Sequence, residues 1–191
     1  MMFGRLGVIQ RDQRGLTLVE LLIAILLAGV VTGGITMTIF QVFNMNSRTS
    51  NHMVAIRQVQ HAGKQVSQDL LQAKHIDTEN NPATPELLTL TWTDWDDARH
   101  EIVYTLEDMP SGEFKILRRE HKIDSVTDST INVAEYIDPA ETNCCYDCNG
   151  DGYCDCYDDC NCNAIIFTVT ANVGGQSETR IYEVMPRSGS Q

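Results

Sequence analysis

The chain has 191 residues and a formal net charge of -12. That length allows one soluble domain of ordinary size, and the acidic balance argues against nucleic acid as the main ligand, because phosphate binding needs clustered Lys and Arg. No nucleophile elbow, phosphate loop or His-Glu-x-x-His pattern occurs, and His52, His61, His75, His100 and His121 are scattered without ligand spacing, so the sequence predicts no enzyme.

The first 15 residues read as a basic leader. Arg5, Arg11 and Arg14 against Asp12 give it +2, which leaves -14 on the rest of the chain. The leader stops at Gly15, and an apolar run begins at Leu16. Residues 16–43 contain one charge, Glu20. At 1.5 Å per residue, 28 helical residues reach about 42 Å, more than a bilayer core of about 30 Å. The run therefore predicts a membrane helix that continues outward. Arg11 and Arg14 place its N-terminal side in the cytoplasm and the remainder outside. A secretory signal is cut after its apolar region, whereas the cut expected here, between Gly15 and Leu16, comes before it and leaves the helix on the mature protein.

Glu20 is the anomaly. A carboxylate inside a membrane span costs a few kcal/mol, so it marks a functional site by default. Leu16 and Glu20 are four residues apart and share one helical face. Cleavage would free an α-amino group on Leu16, with which Glu20 could pair, in its own chain or a neighbour. The first helical turn also favours a carboxylate through the helix dipole. A plain single-span anchor would need neither Glu20 nor Gly15. Gly29, Gly33 and Gly34 weaken the span and read either as a zone able to unwind or as points of close helix approach.

The stretch Arg14-Gly-Leu-Thr-Leu-Val-Glu20, with the apolar run after it, resembles the class III signal of type IV pilins and pseudopilins. The resemblance implies cleavage by a prepilin peptidase, methylation of the new amine, and pairing of Glu20 with the N-terminus of an adjacent subunit. It implies a single-pass protein of the cytoplasmic membrane, its ectodomain outside and its partners other pilin-type subunits in a surface or periplasmic filament. Leu16 stands where the family commonly has Phe.

From Val42 to Ile76 the pattern becomes one-sided. Ile56, Val59, Gly63, Val66, Leu70 and Ala73 recur at three- and four-residue steps, with Arg57, Lys64, Gln68 and Gln72 off the stripe. One helix is expected from Leu16 to about His75, ended by Asn80-Asn81-Pro82 and Pro85. The run from Arg57 to Leu70 resembles W-type minor pilins and J-type pseudopilins of type II secretion.

Six strands are expected over Leu87–Thr93, Glu101–Leu106, Phe114–Arg119, Ile131–Ile137, Ala164–Thr170 and Thr179–Met185. Met109-Pro110-Ser111-Gly112 and Gly174-Gly175 supply turns, and Trp92 and Trp95 are expected to pack in the sheet. The fold class is α+β: a long N-terminal helix against an antiparallel sheet, the pilin-like arrangement. The expected organisation is leader 1–15, membrane helix 16–43, amphipathic continuation 44–77 and β domain 78–191, the last including a Cys-rich acidic loop, 138–163.

That loop holds seven acids, all seven cysteines and no Lys or Arg. Asp147, Asn149, Asp151, Asp155 and Asp158 fall at calcium-loop positions 1, 3, 5, 9 and 12, Gly152 at 6, and the Tyr153 carbonyl at 7. The pattern resembles dockerin and thrombospondin type 3 calcium loops, which also end on Asp. A structural calcium site is expected, with affinity on the order of 10⁻⁴–10⁻³ M. A disulfide-knotted loop without an ion is the alternative. Zinc or iron–sulfur ligation fits poorly the spacing of Cys145, Cys148, Cys154, Cys156, Cys160 and Cys162. Seven cysteines form at most three disulfides, and adjacent Cys144 and Cys145 are not expected to bond each other, so one of the two is the candidate free thiol or intermolecular link. The function expected is a minor pilin or pseudopilin; the other class is a membrane-anchored calcium-dependent binding module, such as an adhesin, outside any filament.

Overall fold

The computed structural model describes residues 15, 17–78, 85–110, 112–147 and 164–186. One helix, α1 (Leu18–Gln72), precedes eight strands: β1 (His75–Asp77), β2 (Glu86–Thr93), β3 (Arg99–Asp108), β4 (Lys115–Ile123), β5 (Val126–Ile137), β6 (Asn143–Asp147), β7 (Ala164–Val173) and β8 (Gln176–Val184). The chain divides into two units, Met1–Asn46 and Ser47–Gln191. The described part of the first is the apolar start of α1, exposed throughout. The second contains the rest of α1 and the whole sheet. The expected α+β, pilin-like architecture of a long N-terminal helix and an antiparallel sheet is observed.

The sheet is antiparallel with order β1-β2-β3-β4-β5-β7-β6, and β8 pairs the other side of β7. All six expected strands are present. β1 and β6 are additional, and both are short. The helix ends at Gln72, three residues before the expected end, because the Lys74 amide donates to the Thr91 carbonyl at 3.0 Å and starts the β1–β2 pairing. Competition from the sheet edge, rather than a breaker residue, stops α1.

α1 buries Ala55, Val59, Ala62, Val66, Leu70 and its neighbour Gly63, steps of three and four as a single helix face requires. Ile56, expected in this stripe, is only half-buried, and Ala55 takes the central place. The stripe packs on Leu88, Leu90, Ile102, Leu117, Phe167 and Val169 of the sheet. Gly63 serves close approach: a Cβ there would lie 2.0 Å from the Tyr182 ring, whose hydroxyl donates to the Val59 carbonyl at 3.1 Å.

Two turns set the register. Gly174 and Gly175 have φ of +54° and +77° and close Val173 against Gln176, the two-residue type I′ hairpin expected from a Gly-Gly pair. Asp124 and Ser125 form the same two-residue geometry between β4 and β5, with φ of +49° and +67°. Both strands thus run further than Phe114–Arg119 and Ile131–Ile137 suggest. No glycine marks this turn. The Asp124 carboxylate holds it by accepting from the Arg99 amide at 3.0 Å.

The helix is keyed to the sheet by a buried polar triad. Arg119 of β4 donates through Nε to Asp69 Oδ2 at 2.6 Å and through Nη2 to Oδ1 at 3.3 Å, and the Tyr104 hydroxyl of β3 donates to the same Oδ2. Asp69 is 4 % exposed and Tyr104 fully buried. Burial, and then the Asp69 charge, push the Tyr104 phenol far up. Burial alone would lower Arg119, but its hydrogen bonds and charge attraction to Asp69 prevail and raise it. Removing one member of a buried pair costs about 3–5 kcal/mol, because the other charge is left uncompensated. Asp69→Ala should therefore lower the unfolding free energy of the ectodomain by about that amount, read by urea denaturation followed by far-UV circular dichroism. A loss below about 1 kcal/mol would show that water satisfies Arg119 as well as Asp69 does.

Candidate processing and assembly site

Gly15 is exposed, and Leu16, the expected first mature residue, lies outside the described residues, as does the leader before Gly15. The chain turns into α1 at Thr17. The Glu20 amide donates to Thr17 Oγ1 at 3.3 Å and the Leu21 amide to the Thr17 carbonyl at 3.1 Å, which makes Thr17 the N-cap and Glu20 the third helical residue. Thr-x-x-Glu ahead of an apolar run is the capping-box pattern. The sequence reading passed over Thr17, although that four-residue signature was visible. Glu20 is exposed, in the first turn, where the helix dipole favours its charge.

Beyond Glu20 the helix runs unbroken through Gly29, Gly33 and Gly34, and a Cβ at any of the three would meet nothing within 4 Å. The hydroxyls of this stretch are satisfied within the helix. Thr32 donates to the Ala28 carbonyl at 2.7 Å, Thr36 to Thr32 at 2.9 Å and Thr38 to Gly34 at 3.0 Å. A segment that satisfies its own polar groups and exposes Leu, Ile, Val and Phe on every side suits hydrocarbon. Its mean hydropathy over 18 residues is 2.4, and it is long and apolar enough to cross a membrane.

Of the cysteine-acid segment, 138–163, the structure describes residues 138–147. Asn149, Asp151, Tyr153, Asp155 and Asp158 of the expected calcium set, and Cys148, Cys154, Cys156, Cys160 and Cys162, lie outside the described residues. Asp147, the first calcium position, ends β6, is 2 % exposed and pairs with Ala164 of β7. The segment from 138 is thus not all loop: β6 occupies its first part. Alternation along β6 separates the two adjacent cysteines, as successive side chains point to opposite faces. Cys144 enters the main core with no exposure and is a free thiol, while Cys145 is disulfide-bonded. Of the two adjacent cysteines, Cys144 is the one that stands as the free thiol, buried in the core. Among the described residues, no three His, Cys, Asp or Glu gather as metal ligands.

The two tryptophans differ. Trp92 packs against the core, as expected, but Trp95 sits on the β2–β3 turn at 90 % exposure, past the last paired residue, Thr93. Sequence spacing placed no histidines together, yet His100 and His121 meet across β3 and β4.

The family model of the prokaryotic N-terminal methylation motif matches residues 10–36. No curated protein and no solved structure matches the chain. The match spans the expected junction, Gly15 to Glu20. Together with the one membrane-length apolar helix among the described residues, it fits a pilin-like or pseudopilin-like protein anchored by one pass in the inner membrane and bearing an ectodomain.

Burial raises the Cys144 thiol from an ordinary 9.0 to about 12. The folded state then keeps a proton that the unfolded state loses, so this contribution to stability is complete below pH 9 and declines as pH rises towards 12. Alkaline destabilisation over that window should be smaller in Cys144→Ala than in the wild type, measured by denaturant titration at each pH. Equal pH profiles would mean that Cys144 is wet in solution.

Proposed function

We propose that this chain is a minor pilin or pseudopilin, a structural and assembly subunit near the tip of a type IV pilus or a type II secretion-type filament. A prepilin peptidase cuts after Gly15 and methylates the amine of Leu16. The apolar part of α1 holds the subunit in the membrane and then packs against other pilin-type subunits. Glu20 pairs with the N-terminus of a neighbour. The observation that carries this reading is the methylation motif at 10–36 directly ahead of an exposed apolar helix. The capping by Thr17 supports it, since it starts the helix firmly three residues before Glu20 and presents the carboxylate from a formed first turn. The likeness of residues 57–70 to W-type minor pilins and J-type pseudopilins supports a minor subunit.

Glu20→Ala should leave membrane insertion intact, because it makes the span more apolar, and should abolish incorporation into sheared filaments. Immunoblots of membrane and filament fractions read both at once. Incorporation at the wild-type level, or a native N-terminus at Met1 or Met2 instead of Leu16, would replace this reading with a membrane-anchored binding module outside any filament.

The ectodomain carries a structural calcium site in the same reading. Asp147, Asn149, Asp151, Asp155 and Asp158 and the Tyr153 carbonyl would hold the ion, which would neutralise and cross-link the carboxylates of the loop. The described end of the site fits: Asp147 is a buried carboxylate at the close of β6, and it pairs with Ala164, so the residues on either side of segment 148–163 stand at strand spacing. That pairing gives the bracing that flanking helices give an EF-hand. Further disulfides among the cysteines of the loop complete the clip. Residues 47–191 form a separate unit that contains every core residue, so the ectodomain can be taken alone. Its native mass, unreduced and in millimolar calcium, should include one calcium that a chelator removes. A mass without an adduct would leave a covalent knot with surface acids.

A further inference from the structure

The face of the sheet that carries Tyr104 and Arg119 continues past Ile102 to three aromatic rings. Trp92 of β2, His100 of β3 and His121 of β4 lie nearly parallel, with interplanar angles of 3°, 8° and 10°. His100 Nδ1 and His121 Nε2 are 3.1 Å apart. The outer nitrogens face carboxylates: His121 Nδ1 is 3.3 Å from Asp128 Oδ2, and His100 Nε2 is 4.0 Å from Asp94 Oδ2. The imidazoles are 15 % and 16 % exposed, the two carboxylates about half. The result is a line of carboxylate, imidazole, imidazole and carboxylate across four segments of the sheet.

Proton counting shows what this line does. Two neutral imidazoles carry one N–H each, enough for the two short contacts: His121 Nδ1–H to Asp128, and one proton between His100 Nδ1 and His121 Nε2. His100 Nε2 then faces Asp94 Oδ2 at 4.0 Å without a proton, too far for a hydrogen bond. One added proton, on His100 Nε2, turns that gap into a charged contact able to close. A second added proton would set N–H against N–H. The resulting cation lies between two carboxylates and beside the Trp92 ring, which favours positive charge on its face.

Distance separates a proton from a metal ion here. The ring centroids are 5.3 Å apart across the 3.1 Å N···N contact, so the rings meet edge to edge. An N–H···N bond fits that gap. A metal ion on the same line, at about 2.0–2.1 Å per bond, would need about 4 Å.

We propose that His100 and His121 form a single proton-uptake unit, a switch that acid closes to lock the β2–β3 turn to the start of β5. Asp94 belongs to that turn, and Asp128 follows the Asp124-Ser125 turn at the same end of the sheet. The lock would order the loop that holds Trp95 outward. The neighbouring charges are already committed. Arg119 on the same face binds Asp69 of α1, while Glu101, Glu120 and Lys122 pair among themselves on the opposite face. Asp96 of the β2–β3 turn accepts from the Ala98 amide, and Asp94 accepts from the Trp95 amide through Oδ1, so its Oδ2 is the oxygen that faces His100. The proposal does not depend on the filament reading.

The test is nitrogen NMR of the full-length chain in detergent micelles, with ¹⁵N-labelled histidine. Between pH 8 and 5, the range in which histidine takes up its proton, His100 and His121 should move together and bind one proton between them, with a coupling across the N–H···N bond at the acid end. Exchange of the Asp97 and Ala98 amides should then be about tenfold slower than in His121→Gln at the same pH, as expected from a charge-assisted hydrogen bond. In that variant His100 should titrate alone and the coupling should vanish. Independent uptake of two protons by the wild type, or unchanged amide exchange, would overturn the proposal. So would zinc at neutral pH shifting both rings at one equivalent, which would make the pair a metal site.

Discussion

A charge buried on a helix constrains the helix more tightly than its apolar stripe does. Burial of Val59, Val66 and Leu70 is non-directional, and it decides only which face of α1 meets the sheet. A slide by one turn, 5.4 Å, would bring other small and aliphatic residues into similar contact. Asp69 does not permit the slide. Its two oxygens are met by the guanidinium of Arg119 and the phenol of Tyr104, from two adjacent strands, and no other register offers that pair. The looser contacts follow from this lock. Gly63 comes under the Tyr182 ring, His61 Nδ1 donates to the Val133 carbonyl at 2.6 Å, and Gln58 accepts from the Glu135 amide at 3.0 Å. Such a triad is costly to desolvate, and its use is to select one arrangement among several of similar apolar area.

Much of this fold is legible in the sequence because it rests on period and on special residues. The stripe from Val59 to Ala73 has the helical period, the six longer strands are β-branched runs, and Gly174-Gly175 admits one turn geometry. The elements that escaped lack such marks. β1 and β6 have three and five residues and exist through pairing with β2 and β7, a tertiary cause with no local trace. The Asp124-Ser125 turn uses two non-glycine residues at positive φ, held by a contact to Arg99, 25 positions away. Asp69 looked like an ordinary polar position between apolar ones, since its partners lie 35 and 50 residues along the chain. His100 and His121 look scattered at a spacing of 21, yet a hairpin joined after Asp108 folds them onto adjacent strands. Thr17 is legible from its distance to Glu20, the four-residue signature of a capped helix start.

Strand alternation also explains how a crowded set of cysteines coexists with an ordinary core. β6 brings the first two into the sheet and separates them by face. Cys144 becomes a small apolar filler, inert because burial disfavours its thiolate. Cys145 turns the other way. Asp147 pairs with Ala164, so the residues that flank segment 148–163 meet at strand spacing, and closing a loop between two paired residues costs entropy that grows only slowly with its length.

A division also runs along α1. Among the described residues, 55–184 supply the core, whereas the part of α1 in the first unit is almost wholly apolar and exposed on every side. Those two stretches answer to different solvents. The N-terminal one must suit lipid and other helices at all its faces, which permits few residue types and demands a reason for Glu20. The ectodomain must only bury one face of a sheet under one face of a helix, a requirement that many sequences meet. Recognisable sequence is therefore concentrated at residues 10–36, where chemistry and environment restrict nearly every position, and it thins out where packing alone decides.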